Sequence, residues 1–152
     1  MYNKGGDPAI KIKIINGPNL NFIGIREPEV YGKLTFDDMN KLIAGEFQGS
    51  NTVLEFMQSN SEGEIIDYLQ QCHFDNTDGI VLNPGAYTHY SYAIRDAISS
   101  IHIPVIEVHL TNTSKREEFR EKSVTAAVCA GQIKGFSWYS YVLAILALKK
   151  MM

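Results

Sequence analysis

Cysteine is scarce in this chain: of 152 residues only Cys72 and Cys129 carry a thiol. Two thiols so far apart can neither frame a disulfide-stapled fold nor make up a zinc cluster. They read as small buried apolar residues in a reducing compartment. An excess of one charge is also missing. Lys and Arg number 14 against 17 Asp and Glu, a net charge of −3, so nothing basic recommends a nucleic acid as partner. No apolar run is long enough for a membrane. The last one, Tyr139–Leu148, falls well short of the roughly 20 residues that a spanning helix needs. Met1 to Ala9 is polar and lacks the apolar segment of a signal peptide. Gly-rich phosphate fingerprints and metal-ligand spacings are absent too. What these absences leave is one cytoplasmic domain, residues 10–152, behind a loose N-terminal arm, residues 1–9. The hydrophobic share of 45% and charged share of 20% suit a packed core.

What is present is alternation. Lys11–Ile15, Thr52–Met57, Gly79–Leu82, Pro104–Val108 and Thr125–Ala130 read as short apolar strands. Between and after them lie helical patterns over Thr35–Phe47, Ser61–Cys72, Tyr87–Ile101, Tyr139–Lys149 and a segment opening at Ser114. Ser61 with Glu64 has the spacing of a capping box. Asp37 and Asp38 suit the positive end of one helix, and Lys149 and Lys150 the negative end of another. Strands alternating with helices predict an α/β fold. The expected architecture is flavodoxin-like: a five-stranded parallel sheet, order 2-1-3-4-5, with helices on both faces. Ligands in such a sheet bind beyond the carboxyl ends of the strands, at the switch point between strands one and three.

Three polar loops fall at that edge. The first, Asn16–Gly32, is seventeen residues long with three Gly, two Pro and three Asn; loops of this length in a compact domain are commonly functional. It carries Arg26 and Tyr31. A cation beside a tyrosine lowers a pKa that otherwise lies near 10 and makes a general base of it. The alternative is a surface ion pair and a packed tyrosine. The second loop is Asn83-Pro-Gly-Ala-Tyr-Thr-His89. The third follows Glu107-Val-His109, whose spacing puts carboxylate and imidazole on one face of a strand, the arrangement of an oriented acid. Arg116 and Arg120, four apart, are expected on one face of a helix. His89 and Asp96, seven apart, are expected on one helix roughly 10 Å from each other, too far for one small ligand. Asp96 would then serve a neighbouring subunit.

The stretches Asn16-Gly-Pro-Asn-Leu-Asn, Arg26-Glu-Pro, Val30-Tyr-Gly, Gln58-Ser-Asn, Asn83-Pro-Gly-Ala-Tyr-Thr-His, Arg95-Asp-Ala, Pro104-Val-Ile-Glu-Val-His and Arg116-Glu-Glu-Phe-Arg, in that order, resemble type II 3-dehydroquinate dehydratase. The resemblance covers nearly the whole chain from Lys11. It implies a lyase of the shikimate pathway and of aromatic amino acid biosynthesis, converting 3-dehydroquinate to 3-dehydroshikimate by anti elimination through an enolate. It implies Tyr31 as base, Arg26 as support for its phenolate, His109 as acid oriented by Glu107, and Asn19 as holder of an enolate-stabilising water. It implies substrate contacts from Asn83, His89, Arg120 and the amides of Leu110 and Thr111, with Asp96 reaching across a trimer interface. It further implies a homododecamer built from four trimers, with no cofactor and no metal. Departures from the common pattern are Thr111, Met57 and the glycine-poor segment Gly135–Tyr141. The competing expectation is a flavodoxin-like binding or receiver domain, but Asn16 and Asn83 stand where a receiver would carry aspartates. Gly24 and Gly32 flank the Arg26–Tyr31 pair and suggest a closing lid.

Overall fold

The computed structural model describes residues 8–152, except for the side chain of Tyr31; most of the expected N-terminal arm lies outside the described residues. The five strands are β1 (Ile10–Asn16), β2 (Thr52–Gln58), β3 (Gly79–Asn83), β4 (Val105–His109) and β5 (Gly131–Lys134). They form one parallel sheet of order β2-β1-β3-β4-β5, as the alternation predicts. The helices are α1 (Pro28–Tyr31), α2 (Phe36–Glu46), α3 (Glu62–Cys72), α4 (Tyr92–Ser99) and α5 (Tyr139–Met151).

Each face of the sheet has its own apolar layer. Ile12 and Ile14 of β1, Val81 of β3 and Val108 of β4 pack with Met39 and Ile43 of α2 and Ile145 and Leu148 of α5. Ile15, Ile80, Leu82 and Val105 pack on the other face with Ile65 and Leu69 of α3 and Ile94 and Ile98 of α4. Strand parity produces this division, since alternate residues point to opposite faces. Each fully buried Ile or Leu contributes roughly 1.5–3 kcal/mol. The face under α3 also buries a cation. Lys13 of β1, 2% exposed, pairs with Asp75 and lies 3.7 Å from Glu55.

The helix starts follow their caps. The Thr35 hydroxyl accepts from the Asp38 amide at 3.1 Å, and Ser91 does the same for Ile94 at 3.0 Å. The expected capping box at α3 is half made. Ser61 Oγ accepts from the Glu64 amide at 3.4 Å, but the Glu64 carboxylate turns to Ser59 and Tyr68 instead of back to Ser61.

Four sequence expectations are corrected. The run Thr125–Ala130 is not the fifth strand: it holds a 3₁₀ turn, Ala126–Val128. The edge strand comes just after it, and its polar Gln132 and Lys134 disguise it. No α-helix opens at Ser114. Two 3₁₀ turns, Thr113–Lys115 and Glu118–Arg120, stand there, so Arg116 and Arg120 do not share a helix face. The expected helix Tyr87–Ile101 is broken into a 3₁₀ segment, Gly85–His89, and α4. His89 and Asp96 therefore lie on different elements, and the two-turn spacing between them does not hold. The first loop is also less irregular than its Gly and Pro content suggests, with a 3₁₀ turn at Leu20–Phe22 and the single turn α1.

Candidate active site

β1 and β3 end in register, Asn16 opposite Asn83, and their following loops cross at close quarters. The Gly17 amide donates to the Asn83 carbonyl at 2.7 Å. A Cβ on Gly17 would stand 2.4 Å from the Pro84 carbonyl oxygen, so only glycine fits that crossing. Gly85, at φ +59°, turns the second loop against Pro18. Over this crossing opens a cavity of about 220 Å³.

The three loops named from the sequence line it. From the first come Asn19 and Arg26, from the second Asn83 and His89, and from the third His109, Leu110, Thr111 and Arg120. Arg116 joins them although the helix expected to carry it is absent. Pro18, Leu20 and Ile23 add an apolar wall. Asp96 is exposed on α4 and is not among the lining residues. The Tyr31 side chain lies outside the described residues, so the expected Arg26–Tyr31 pairing has no geometry here. Arg26 Nη2 is 3.0 Å from Glu27 Oε2, so it takes part in an ion pair and lines the cavity as well. Glu27 also comes within 4.0 Å of Arg116, joining the first loop to the third by charge.

His109 lines this cavity with Glu107 buried behind it. His109 Nε2 lies 2.7 Å from Glu107 Oε1. Glu107 is wholly buried and collects further donors: Thr88 Oγ1 at 2.8 Å, Ser123 Oγ at 2.9 Å, Gln132 Nε2 at 2.9 Å and the Thr125 hydroxyl. Burial alone would raise the Glu107 pKa. Hydrogen bonds from His109, Thr125 and Gln132 and the charge on His109 outweigh it and bring the carboxyl down to about 2. An ionised Glu107 holds the His109 ring by one nitrogen, with the rest of the imidazole lining the cavity.

His89 is set differently. Its Nδ1 is 2.8 Å from the Lys122 carbonyl, which can only accept, so Nδ1 carries a hydrogen and Nε2 is the remaining polar atom. Its ring meets Phe119 edge-on, centroids 5.8 Å apart. Arg120 lies over the same Phe119 ring and donates to Glu117 at 2.7 Å. Asn19 sits at φ +66° with its amide donating to Asn60 Oδ1 at 3.0 Å; Gln58 holds that Asn60 oxygen from the other side at 3.1 Å.

Sequence reasoning missed the cage around Glu107. Thr88, Ser123, Thr125 and Gln132 are ordinary polar residues drawn from three segments. One signal was available: Gln132 is the β5 residue in register with Glu107, legible once the edge strand is placed correctly. Also missed was Tyr141, whose phenol joins Asn16 and Asn83 from α5.

The fold and site define a flavodoxin-like α/β protein with a polar cavity at the switch point of its sheet, where His109 is paired with a buried carboxylate. Within that class the comparisons are specific. The family model for dehydroquinase class II matches residues 10–149, and the chain belongs to that family. It is 57% identical over 143 residues to a 3-dehydroquinate dehydratase of Clostridium acetobutylicum, covering 94% of this chain and 99% of that protein. It is 53% identical over 142 residues to one of Caldicellulosiruptor bescii, covering 93% and 98%. Among solved structures it resembles the type II dehydroquinase of Butyrivibrio crossotus, with a TM-score of 0.91 at 53% identity, covering 93% of this chain and 98% of that one. For the type II dehydroquinase of Propionibacterium acnes the TM-score is 0.81 at 37% identity, covering 95% and 97%.

Proposed function

We propose that the chain is a type II 3-dehydroquinate dehydratase acting in the shikimate pathway: it removes water from 3-dehydroquinate by anti elimination, through an enolate. Tyr31 takes the proton alpha to the ketone, Arg26 stabilises its phenolate, and His109 protonates the departing hydroxyl. Enolate charge is stabilised through a water held by Asn19. Asn83 and His89 meet substrate hydroxyls, and Arg120 adds a further contact. The amides of Leu110 and Thr111 take the substrate carboxylate.

The observation that carries this reading is the His109–Glu107 pair, His109 lining the cavity and Glu107 buried behind it. A general acid needs a proton held at a defined atom and a partner that is not itself protonated in exchange. Glu107, held at about 2 by its donors, meets the second need. The loop that carries Arg26 and leads to Tyr31 lines the same cavity. An anti elimination calls for a base on the face of the ligand opposite the acid, the role this reading gives to Tyr31. Arg26, Arg116 and Arg120 in its lining suit a carboxylate substrate.

The loop between Gly24 and Gly32, both at positive φ, serves in this reading as a lid that brings the base over the substrate. Asp96, exposed on α4, reaches a neighbouring copy's site in a dodecamer of four trimers. No helix among the described residues is long and apolar enough to cross a membrane. Stereospecific labelling tests the mechanism. With deuterium at one or the other position alpha to the ketone, anti elimination releases the label from one epimer and retains it in the other. Retention of the opposite label would replace the anti pathway.

A further inference from the structure

Tyr141 is fully buried on α5, and Asn16 and Asn83 are nearly as enclosed, at 0% and 3% exposure. Parity explains why they meet. Asn16 continues the face of Ile12 and Ile14, Asn83 that of Val81, and α5 covers this face. The phenol stands between the two carboxamides, donating to Asn16 Oδ1 at 2.7 Å and accepting from Asn83 Nδ2 at 2.8 Å.

The direction of this chain is set at both ends by backbone. Asn83 Oδ1 accepts from the Gly85 amide at 3.1 Å, so the nitrogen of Asn83 must be the atom turned to Tyr141. At the other end Asn16 Nδ2 donates to the Met57 carbonyl at 3.4 Å, so the Asn16 oxygen must face the phenol. An amide N–H only donates and a carbonyl only accepts, which leaves the phenol a single orientation. Burial pushes the Tyr141 phenol far above its ordinary pKa, so its proton stays in place at any working pH.

We propose that Tyr141 is a positioning residue for the site: it locks the Asn83 carboxamide so that one N–H and one oxygen lone pair remain for a hydroxyl-bearing ligand in the cavity. An asparagine side chain has two donor hydrogens and two acceptor lone pairs. Tyr141 takes one of the first and Gly85 one of the second. Among the described residues, the phenol oxygen is the partner that holds the nitrogen side of that amide, as the Gly85 amide holds its oxygen side. The inference rests on the dehydratase reading, which supplies the hydroxylated substrate.

Tyr141→Phe keeps the ring that fills the core and removes only the oxygen. KM for 3-dehydroquinate is expected to rise about tenfold, the scale of one hydrogen bond, with a smaller fall in kcat. In an Asn83→Ala background the same change is expected to raise KM no further, because the amide it orients is gone. Unaltered KM and kcat in Tyr141→Phe, with only a lower Tm, would reduce Tyr141 to a structural role and overturn the proposal. So would KM effects that multiply in the double variant. If Tyr141→Phe does not fold, Asn16→Ala takes its place: it removes the acceptor that directs the phenol, and an unchanged KM there is equally fatal. The Asn83 side-chain amide resonances give a readout free of turnover. They are expected to shift and broaden in Tyr141→Phe, and unchanged resonances overturn the clamp even if the wild-type chain proves inactive on 3-dehydroquinate, a result that would remove the dehydratase reading separately.

Discussion

Glu107 and His109, two residues apart on β4, meet at 2.7 Å with the carboxylate wholly enclosed. The pair is oriented from behind by hydroxyls and an amide drawn from three other segments. The proton donation proposed for His109 depends on Glu107 staying charged.

Glu107→Gln tests that dependence. The amide is the same size and its oxygen can still accept from His109, but it carries no charge to stabilise the imidazolium, and its NH₂ meets groups that donate to the carboxylate. Turnover is expected to fall by roughly 100-fold or more, the range that a positioned acid contributes. Steady-state kinetics alongside circular dichroism check this, with an unchanged fold and a nearly unchanged KM expected.

Acid should weaken the fold through the same carboxyl. Its folded value of about 2 lies below the ordinary 4.5, so between those values the unfolded chain takes up a proton that the folded chain refuses. The stability that Glu107 contributes is thus fully present above about 4.5 and is lost as pH falls towards about 2. Urea midpoints measured across that window are expected to drop with decreasing pH in the wild type, and to drop less in Glu107→Gln.

Two glycines should respond in opposite directions to alanine. In Gly17→Ala the new Cβ would lie 2.4 Å from the Pro84 oxygen, a backbone that cannot step aside. The expected loss is at least about 1–3 kcal/mol, with loss of activity because the loop crossing carries the cavity. Gly45 of α2 has nothing within 4 Å of its Cβ position. Gly45→Ala is expected to stabilise by roughly 0.5–1 kcal/mol with unchanged kcat. Thermal melts of the two variants provide the comparison.

Asp75→Ala removes the nearest partner of buried Lys13 and leaves Glu55 at 3.7 Å. Leaving a buried cation with no partner costs about 3–5 kcal/mol, and the remaining Glu55 contact keeps the expected loss below that. Because the pair lies away from the carboxyl ends of the strands, kcat below the melting temperature is expected to hold while Tm falls. Lys13→Met in the same background should recover much of the loss.

Much of the architecture was legible because the strands of a covered parallel sheet are apolar runs, and Ile10–Asn16, Gly79–Asn83 and Val105–His109 each read that way. β5 was not legible, since an edge strand needs little apolar surface: Gln132 and Lys134 hid it, while the apolar residues ahead of it fold as a turn. The three loops were legible through the rule for ligand placement in such sheets, and the structure brings all three to one cavity. The break between His89 and Asp96 was not, since the apolar spacing runs on across it and Ser91 caps a new helix between them. The cage around Glu107 and the phenol of Tyr141 escaped for a common reason. Each depends on hydrogen bonds between residues distant in sequence, up to 125 positions apart, and no local pattern encodes such a pairing.

The most direct measurement is ultraviolet absorbance on mixing the chain with 3-dehydroquinate, since the expected product is a conjugated enone and the substrate is not. Wild-type protein is expected to raise the absorbance without added metal or cofactor, and folded Tyr31→Phe and His109→Ala are expected to leave it flat. No rise with the wild type, or a full rate in either variant, would contradict the account.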